Sequence, residues 1–206
     1  MKIGLFGATG RVGSIILENA LINHHTVQAL VRDASKLKDI QPGLSVIEGT
    51  VSNELDIINT IRGSDAVISA LNTNRGTTLS ESMPLIITQM KKQQIKRIIT
   101  IGTAGILQAK SEPLLFRFQS LESKRKSTFD AEEHLKVYLM LKDSGLDWTI
   151  VCPTYLPVGV RVGVFRFEKE FLPENPSSIS IFDTGDFAYQ QLFTNQFVGY
   201  RVGLTY

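Results

Sequence analysis

The sequence contains one cysteine, Cys152, and almost no excess of charge of either sign. A single cysteine cannot form an internal disulfide, so the chain is not a small disulfide-stabilised protein. Lys and Arg number 22 against 20 Asp and Glu, which leaves a net charge of +2 and no global field to attract a polyanion. We therefore expect no nucleic-acid partner.

Long apolar runs and metal-ligand patterns are also missing. No stretch approaches the roughly 18 apolar residues that a membrane helix needs, so no membrane association is predicted. The first predicted strand begins at Lys2 without a signal-peptide pattern before it, and we expect a cytoplasmic protein. No group of His or Cys residues has the spacing of metal ligands, so no metal site is predicted.

Short runs rich in Ile and Val alternate with segments of helical periodicity, which indicates an α/β protein with a parallel sheet. The runs predicted as strands are Lys2–Phe6, Thr26–Val31, Leu44–Glu48, Ala66–Ala70, Arg97–Ile101 and Trp148–Cys152. We predict a doubly wound Rossmann sheet in the order 3-2-1-4-5-6, extended by a strand near Tyr200. Residues 1–206 are expected to form a single domain, with a substrate-side loop region over residues 154–182.

Three glycines follow the first predicted strand, in the run Gly7-Ala8-Thr9-Gly10-Arg11-Val12-Gly13. In a dinucleotide site, one glycine permits the tight turn, another lets the backbone approach a pyrophosphate, and the third lets helix and strand pack closely. The N-terminus of the following helix adds positive potential. We predict that this run binds a nicotinamide dinucleotide; the alternative is a turn with a purely structural role.

Arg32 lies at the end of the second predicted strand, where an acidic residue would bind the ribose 2'-hydroxyl of NAD(H). A guanidinium suits a 2'-phosphate through charge-assisted bidentate hydrogen bonds, and Arg11 is a candidate for a second contact. We therefore predict NADP(H) as the cofactor. The alternative is that Arg32 is a solvated loop charge paired with Asp33.

The carboxyl ends of the predicted strands converge where the sheet order reverses, and the ribose and nicotinamide are expected there. We assign the rest of the cofactor site to residues that follow these strands. They are Thr50, Val51, Ala70, Leu71, Asn72, Gly102, Thr103, Pro153, Thr154 and Tyr155. Tyr155 and Leu156 are expected to flank the nicotinamide.

Four stretches of the sequence resemble motifs of the atypical short-chain dehydrogenase/reductases. They are the glycine run, Leu30-Val31-Arg32-Asp33, the run from Asp65 to Leu71 and the run from Ser144 to Val151. The resemblance covers nearly the whole chain and includes the biliverdin-IXβ/flavin reductase and NmrA-like branches. It implies a Rossmann monomer or small homo-oligomer that uses NADPH. It also implies that Thr103 and His134 lie at the matching positions of the flavin reductase pocket, as candidate catalytic residues.

Two functions are compatible with these motifs. In the first, an NADPH-dependent reductase transfers a hydride to a flavin-like or quinone-like small molecule, and water can supply the accompanying proton. The alternative is an NADP-binding sensor or regulatory scaffold without turnover, as in the NmrA-like branch.

Helix capping and residue chemistry suggest roles for the two candidate catalytic residues. Asp130 followed by Glu133 predicts an N-cap with a capping-box partner, so His134 should lie in the first turns of a helix near the cofactor. His134 could orient the acceptor or relay a proton near neutral pH, and the Thr103 hydroxyl could donate to the nicotinamide or to the acceptor. The alternatives are an exposed helical histidine and a threonine that satisfies backbone groups.

Two further patterns are interpreted as structural. Tyr138 and Lys142 match the Tyr-x-x-x-Lys spacing of dehydrogenases, but at about 1.5 Å of rise per residue Lys142 would lie roughly 18 Å from the cofactor edge. We predict that this match is accidental and that Tyr138 packs against the sheet. Cys152 is interpreted as a buried small hydrophobe rather than a nucleophile.

Overall fold

The computed structural model describes residues 1–37 and 41–206. Within these residues the chain forms one sheet of eight strands in the order β3-β2-β1-β4-β5-β6-β8-β7. The strands are β1 (Lys2–Phe6), β2 (Thr26–Val31), β3 (Leu44–Glu48), β4 (Ala66–Ser69), β5 (Arg97–Ile101), β6 (Asp147–Pro153), β7 (Arg166–Lys169) and β8 (Tyr200–Thr205). The pairs from β3 through to β8 are parallel, and the predicted doubly wound sheet is confirmed.

The region predicted as a loop over residues 154–182 contains a strand that the sequence did not indicate. β7 pairs antiparallel with β8 and forms one edge of the sheet. Its four residues, Arg-Phe-Glu-Lys, lie mostly at the surface, so the apolar run that marks a buried strand is absent.

Five α-helices cover the two faces of the sheet in the described part of the chain. They are α1 (Arg11–Ile22), α2 (Glu54–Ile61), α3 (Thr78–Lys92), α4 (Phe129–Lys142) and α5 (Ile181–Gln190). α1 and α5 contribute to one apolar core, and α2, α3 and α4 contribute to the other. None of these helices combines the length and the apolarity needed to cross a membrane.

The predicted capping box at the start of α4 is wrong. The N-cap residue is Thr128, and Asp130 lies inside the first turn. Asp130 accepts a hydrogen bond from the Thr73 hydroxyl at 2.5 Å, while the buried Glu133 accepts from the Ser80 backbone N–H at 3.3 Å. Both carboxylates therefore connect α4 to the segment around the start of α3 instead of capping their own helix.

Candidate functional site

The turn between β1 and α1 has a backbone path that only glycine accommodates. Gly7 has a φ of 84°, and a Cβ atom there would lie 2.6 Å from the Ala70 carbonyl oxygen. A Cβ atom at Gly13 would lie 2.0 Å from the Gly7 carbonyl oxygen. The Gly10 N–H closes the turn by donating to that same oxygen at 2.9 Å. These contacts bring the first turn of α1 directly against the ends of β1 and β4.

The N-terminus of α1 has the features of an anion site. Its N-cap residue is Gly10, which has no side chain to accept from the free backbone N–H groups, and the first turn carries no acidic residue. Arg11 is the first residue of the helix. The positive end of the helix dipole and the Arg11 cation are therefore both at the N-terminus of α1.

A cavity of about 560 Å³ lies at this helix end, along the carboxyl ends of the central strands. It brings together most of the residues predicted to bind a cofactor, from widely separated parts of the chain. Those that line it are Gly7, Thr9, Gly10, Arg11, Val12, Arg32, Thr50, Val51, Ala70, Leu71, Asn72 and Gly102. His134, a candidate catalytic residue, lines it as well. Leu156 also lines the cavity, as expected for the segment after β6.

Other predicted residues lie outside the cavity lining. Ala8 is buried in the turn, Gly13 is buried in the first turn of α1, and Pro153 is buried at the end of β6. Thr154 continues beside β8, where its N–H donates to the Leu204 carbonyl at 3.1 Å. Tyr155 projects into solvent with 72% of its surface exposed, so it does not flank the cavity beside Leu156.

Two cations mark the end of the cavity next to β2. Arg32 and Lys36 both line it, and both are exposed. Asp33 does not pair with Arg32 within the described residues; its carboxylate accepts from the Ser35 hydroxyl at 2.6 Å and from the Ser35 N–H at 3.0 Å. These bonds lower the pKa of Asp33. Lys36 was not predicted from the sequence, where its only signal is its position soon after Arg32.

Arg11 links the glycine turn to the segment after β6. Its guanidinium donates to the Leu156 carbonyl oxygen at 3.0 Å, across 145 residues of sequence. Arg11, the first residue of α1, is therefore also bonded to Leu156, which forms part of the cavity wall.

His134 marks the other side of the cavity. It is half-buried in α4, and burial, followed by the nearby charge of Arg125, lowers its pKa to about 4. The imidazole is therefore neutral at neutral pH, where it can donate or accept a hydrogen bond but cannot act as an imidazolium proton donor.

Thr103 follows Gly102 after β5 and does not line the cavity. Its hydroxyl oxygen accepts from the Gly105 N–H at 3.4 Å and from the Arg125 guanidinium. In this structure Thr103 satisfies groups of the turn after β5, which is the structural alternative that the sequence left open.

Tyr138 packs against the sheet and Cys152 is buried, as predicted from the sequence. The Tyr138 ring packs edge-on to Trp148 of β6 with 5.8 Å between centroids, and Lys142 is the last residue of α4. Cys152 is fully buried, and burial raises the pKa of its thiol to about 12. In residues 1–37 and 41–206, no three His, Cys, Asp or Glu side chains come together as metal ligands.

Comparison with known proteins gives a family match over nearly the whole chain. Residues 7–195 match the model of a family described as NAD(P)H-binding. The protein YwnB of Bacillus subtilis, itself uncharacterized, is 30% identical over 195 residues, which cover 91% of this chain and 89% of YwnB.

Three solved structures share the architecture over the full length of this chain. A Bacteroides thetaiotaomicron protein provisionally assigned as an epimerase has a TM-score of 0.85 at 29% identity, with 96% of that chain covered. A Streptococcus pneumoniae protein provisionally assigned as an NADH-flavin reductase has a TM-score of 0.84 at 24% identity, with 99% covered. The anaerobilin reductase ChuY of Escherichia coli O157:H7 has a TM-score of 0.81 at 22% identity, with 97% covered.

Proposed function

The chain belongs to the NAD(P)H-binding family, and on that premise we propose that it is an NADPH-dependent reductase whose acceptor is a flavin-like or quinone-like small molecule. The observation that carries the proposal is the cavity at the N-terminus of α1, with Arg32 and Lys36 on one side and the neutral His134 on the other. The names of two structural neighbours, one provisionally assigned as an NADH-flavin reductase and the other an anaerobilin reductase, support reduction of a conjugated ring system.

The shape and charge of the cavity fit a phosphorylated dinucleotide. At Gly7 and Gly13, backbone atoms of the turn occupy the space that a Cβ atom would fill, so the turn packs tightly against the start of α1. The N-cap Gly10 has no side chain, so the first N–H groups of α1 are free to bind a pyrophosphate. Arg32 and Lys36 supply two cations for a 2'-phosphate at the end of β2. Bound there, the nicotinamide would supply the hydride.

The remaining side chains suit an acceptor that needs no acid catalyst. Among the described residues that line the cavity, the ionisable ones are Arg11, Arg32, Lys36 and His134, and none carries a carboxylate. Since the His134 imidazole is neutral, its part is to hold the acceptor through a hydrogen bond. A flavin or quinone, which can take its proton from water, fits such a site better than a substrate that requires a strong general acid.

Steady-state oxidation of NADPH in the presence of FMN, riboflavin and simple quinones tests the proposed activity. We expect turnover well above the protein-free control with at least one acceptor, and lower kcat/KM with NADH. Tight binding of NADPH without any turnover would instead favour the sensor, the non-catalytic alternative.

Replacement of Arg32 tests the choice of cofactor. Arg32→Ala should weaken NADPH binding by roughly 1.5 to 3 kcal/mol, about 13- to 160-fold, because hydrogen bonds between charged groups are lost. Binding of NADH should change little. Titration of each cofactor measures the effect, with the exposed Arg62, which lies outside the cavity lining, replaced as a control. Equal loss of affinity for both cofactors would place Arg32 away from the 2'-phosphate.

Burial of His134 predicts a loss of stability in acid. Its pKa of about 4 in the folded chain lies below the ordinary 6.5, so the unfolded chain takes up a proton first as the pH falls. The contribution of the neutral His134 imidazole to the free energy of unfolding is complete above pH 6.5 and is lost as the pH falls from 6.5 to 4. Between pH 7.5 and 5 the wild-type protein should lose about 2 kcal/mol more unfolding free energy than His134→Gln, measured with urea.

His24→Asn is the matched control for that experiment. His24 is an exposed histidine with a φ of 57°, a backbone conformation that asparagine tolerates. If His134→Gln and His24→Asn lose the same unfolding free energy as the wild type on acidification, the imidazole of His134 is not desolvated.

A further inference from the structure

The segment of residues 158–164, which begins two positions after the cavity-lining Leu156, is exposed along its whole length. Every second residue in it is a valine. These are Val158, Val160, Val162 and Val164, each between 52% and 79% exposed, and we call them the valine row. Single exposed apolar residues are ordinary on a protein surface, whereas four within seven residues indicate a binding surface.

Polar contacts hold this segment against the start of α5. The backbone N–H groups of Val162 and Gly163 donate to the buried carboxylate of Asp183, at 3.0 and 2.9 Å. The Arg161 guanidinium pairs with Asp186 at 2.8 Å. These contacts use backbone groups and the arginine, and they leave the valine side chains exposed. The valine row is therefore a positioned surface, although it belongs to no helix or strand.

The valine row lies between two cavities along the chain. At one end, the Cα atom of Val158 can be at most about 7 Å from that of Leu156, which lines the proposed cofactor cavity. At the other end, Val164 precedes Phe165, which lines a second cavity of about 370 Å³ together with four further phenylalanines. An apolar surface thus leads from the edge of the proposed active site to an aromatic cavity.

The size and charge of the valine row favour a small apolar ligand over a protein or a membrane. Four valine side chains offer less than the roughly 800 Å² that each partner buries in a stable protein interface. Arg161 is already paired with Asp186, so it adds no free positive charge that would attract an anionic lipid surface. A hydrocarbon chain fits such a narrow surface, since its burial requires no hydrogen bonds.

We propose that the valine row binds the isoprenoid chain of a quinone acceptor whose ring lies in the cavity. This inference rests on the proposed function and selects the quinone-like acceptor over the flavin-like one. The chain would leave the cavity beside Leu156 and first contact Val158 and Val160. Its burial is favourable in proportion to the apolar area removed from water, whereas the polar ribityl chain of a flavin gains nothing from valine side chains.

Quinones that differ only in their chain test this role. A dimethoxy-methyl-benzoquinone and its derivatives with one and two isoprenyl units are titrated by calorimetry into protein saturated with NADP⁺. We expect each isoprenyl unit to tighten binding by at least about tenfold, because a chain on a surface buries about half of its area. The double variant Val158→Thr/Val160→Thr keeps the branched shapes and should reduce the gain to less than about threefold per unit.

Ile22→Thr is the matched control. Ile22 is an exposed β-branched residue at the end of α1 far from the cavity, so this variant should retain the full gain. Equal affinity of the wild type for the three quinones, or binding of none, refutes the role of the valine row. The same gain in the wild type and the double variant shows that the chain binds elsewhere.

Two further measurements separate this role from its alternatives. We expect no cosedimentation with vesicles of phosphatidylcholine and phosphatidylglycerol; cosedimentation that the double variant loses would make the valine row a membrane contact instead. Chain-dependent binding without NADPH oxidation would refute the reductase alone. Oxidation of NADPH with the same KM for all three quinones would refute the valine row alone.

Discussion

Replacement of Gly13 by alanine is expected to abolish dinucleotide binding. The new Cβ atom would lie 2.0 Å from the Gly7 carbonyl oxygen, a backbone atom that cannot rotate away. Relief of the clash requires α1 to move away from the turn, and the N–H groups at its start then lose the position that suits a pyrophosphate. Titration with NADPH should show a loss of affinity of at least about a hundredfold, or about 2.7 kcal/mol.

Gly76→Ala provides the control for that experiment. A Cβ atom at Gly76 would meet only the Thr73 carbonyl oxygen, at 3.7 Å, which is an ordinary contact. Gly76 does not line the cavity. If Gly13→Ala bound NADPH as tightly as Gly76→Ala while both remained folded, the turn would not be the pyrophosphate site.

Replacement of Glu170 by glutamine is expected to cause a large loss of stability. Arg201 is buried in β8, and its Nε donates to Glu170 Oε2 at 2.8 Å while its backbone N–H donates to Glu170 Oε1 at 2.8 Å. Its guanidinium lies 4.2 Å from the centre of the Tyr138 ring. Removal of the carboxylate charge leaves a buried cation uncompensated, and the free energy of unfolding should fall by about 3 kcal/mol in urea denaturation.

Glu168→Gln is the matched control, two residues earlier. Glu168 pairs with Lys110 at 2.9 Å, and both side chains are more than a third exposed. Loss of a solvated ion pair should cost less than about 1 kcal/mol. Similar costs for Glu168→Gln and Glu170→Gln would mean that the Arg201 guanidinium is satisfied by its other contacts.

The central sheet could be predicted from the sequence because β1, β2, β4, β5 and β6 are buried apolar runs. The glycine turn could also be predicted, since its three glycines lie close together in the sequence and each meets a different steric requirement. β7 could not, because a short edge strand at the surface satisfies its hydrogen bonds without an apolar pattern.

The cavity beyond the glycine turn was only partly predictable. Lys36 carries no periodicity or motif, and its position depends on the path of the short turn that follows β2. His134 was placed beside the cavity through a capping box that does not form. His134 nevertheless lines the cavity, because α4 begins at Phe129 and places it in the first turns whichever residue caps the helix.

The bond between Arg11 and the Leu156 carbonyl has a thermodynamic consequence for two ligands. The bond connects the start of α1, where a pyrophosphate would lie, to Leu156 in the part of the cavity wall that an acceptor would contact. If Arg11 rearranges when the dinucleotide binds, the position of Leu156 changes, and so does the affinity for the acceptor. Linkage then requires the acceptor to change the affinity for the dinucleotide by the same factor, so the two ligands would bind cooperatively through one side chain.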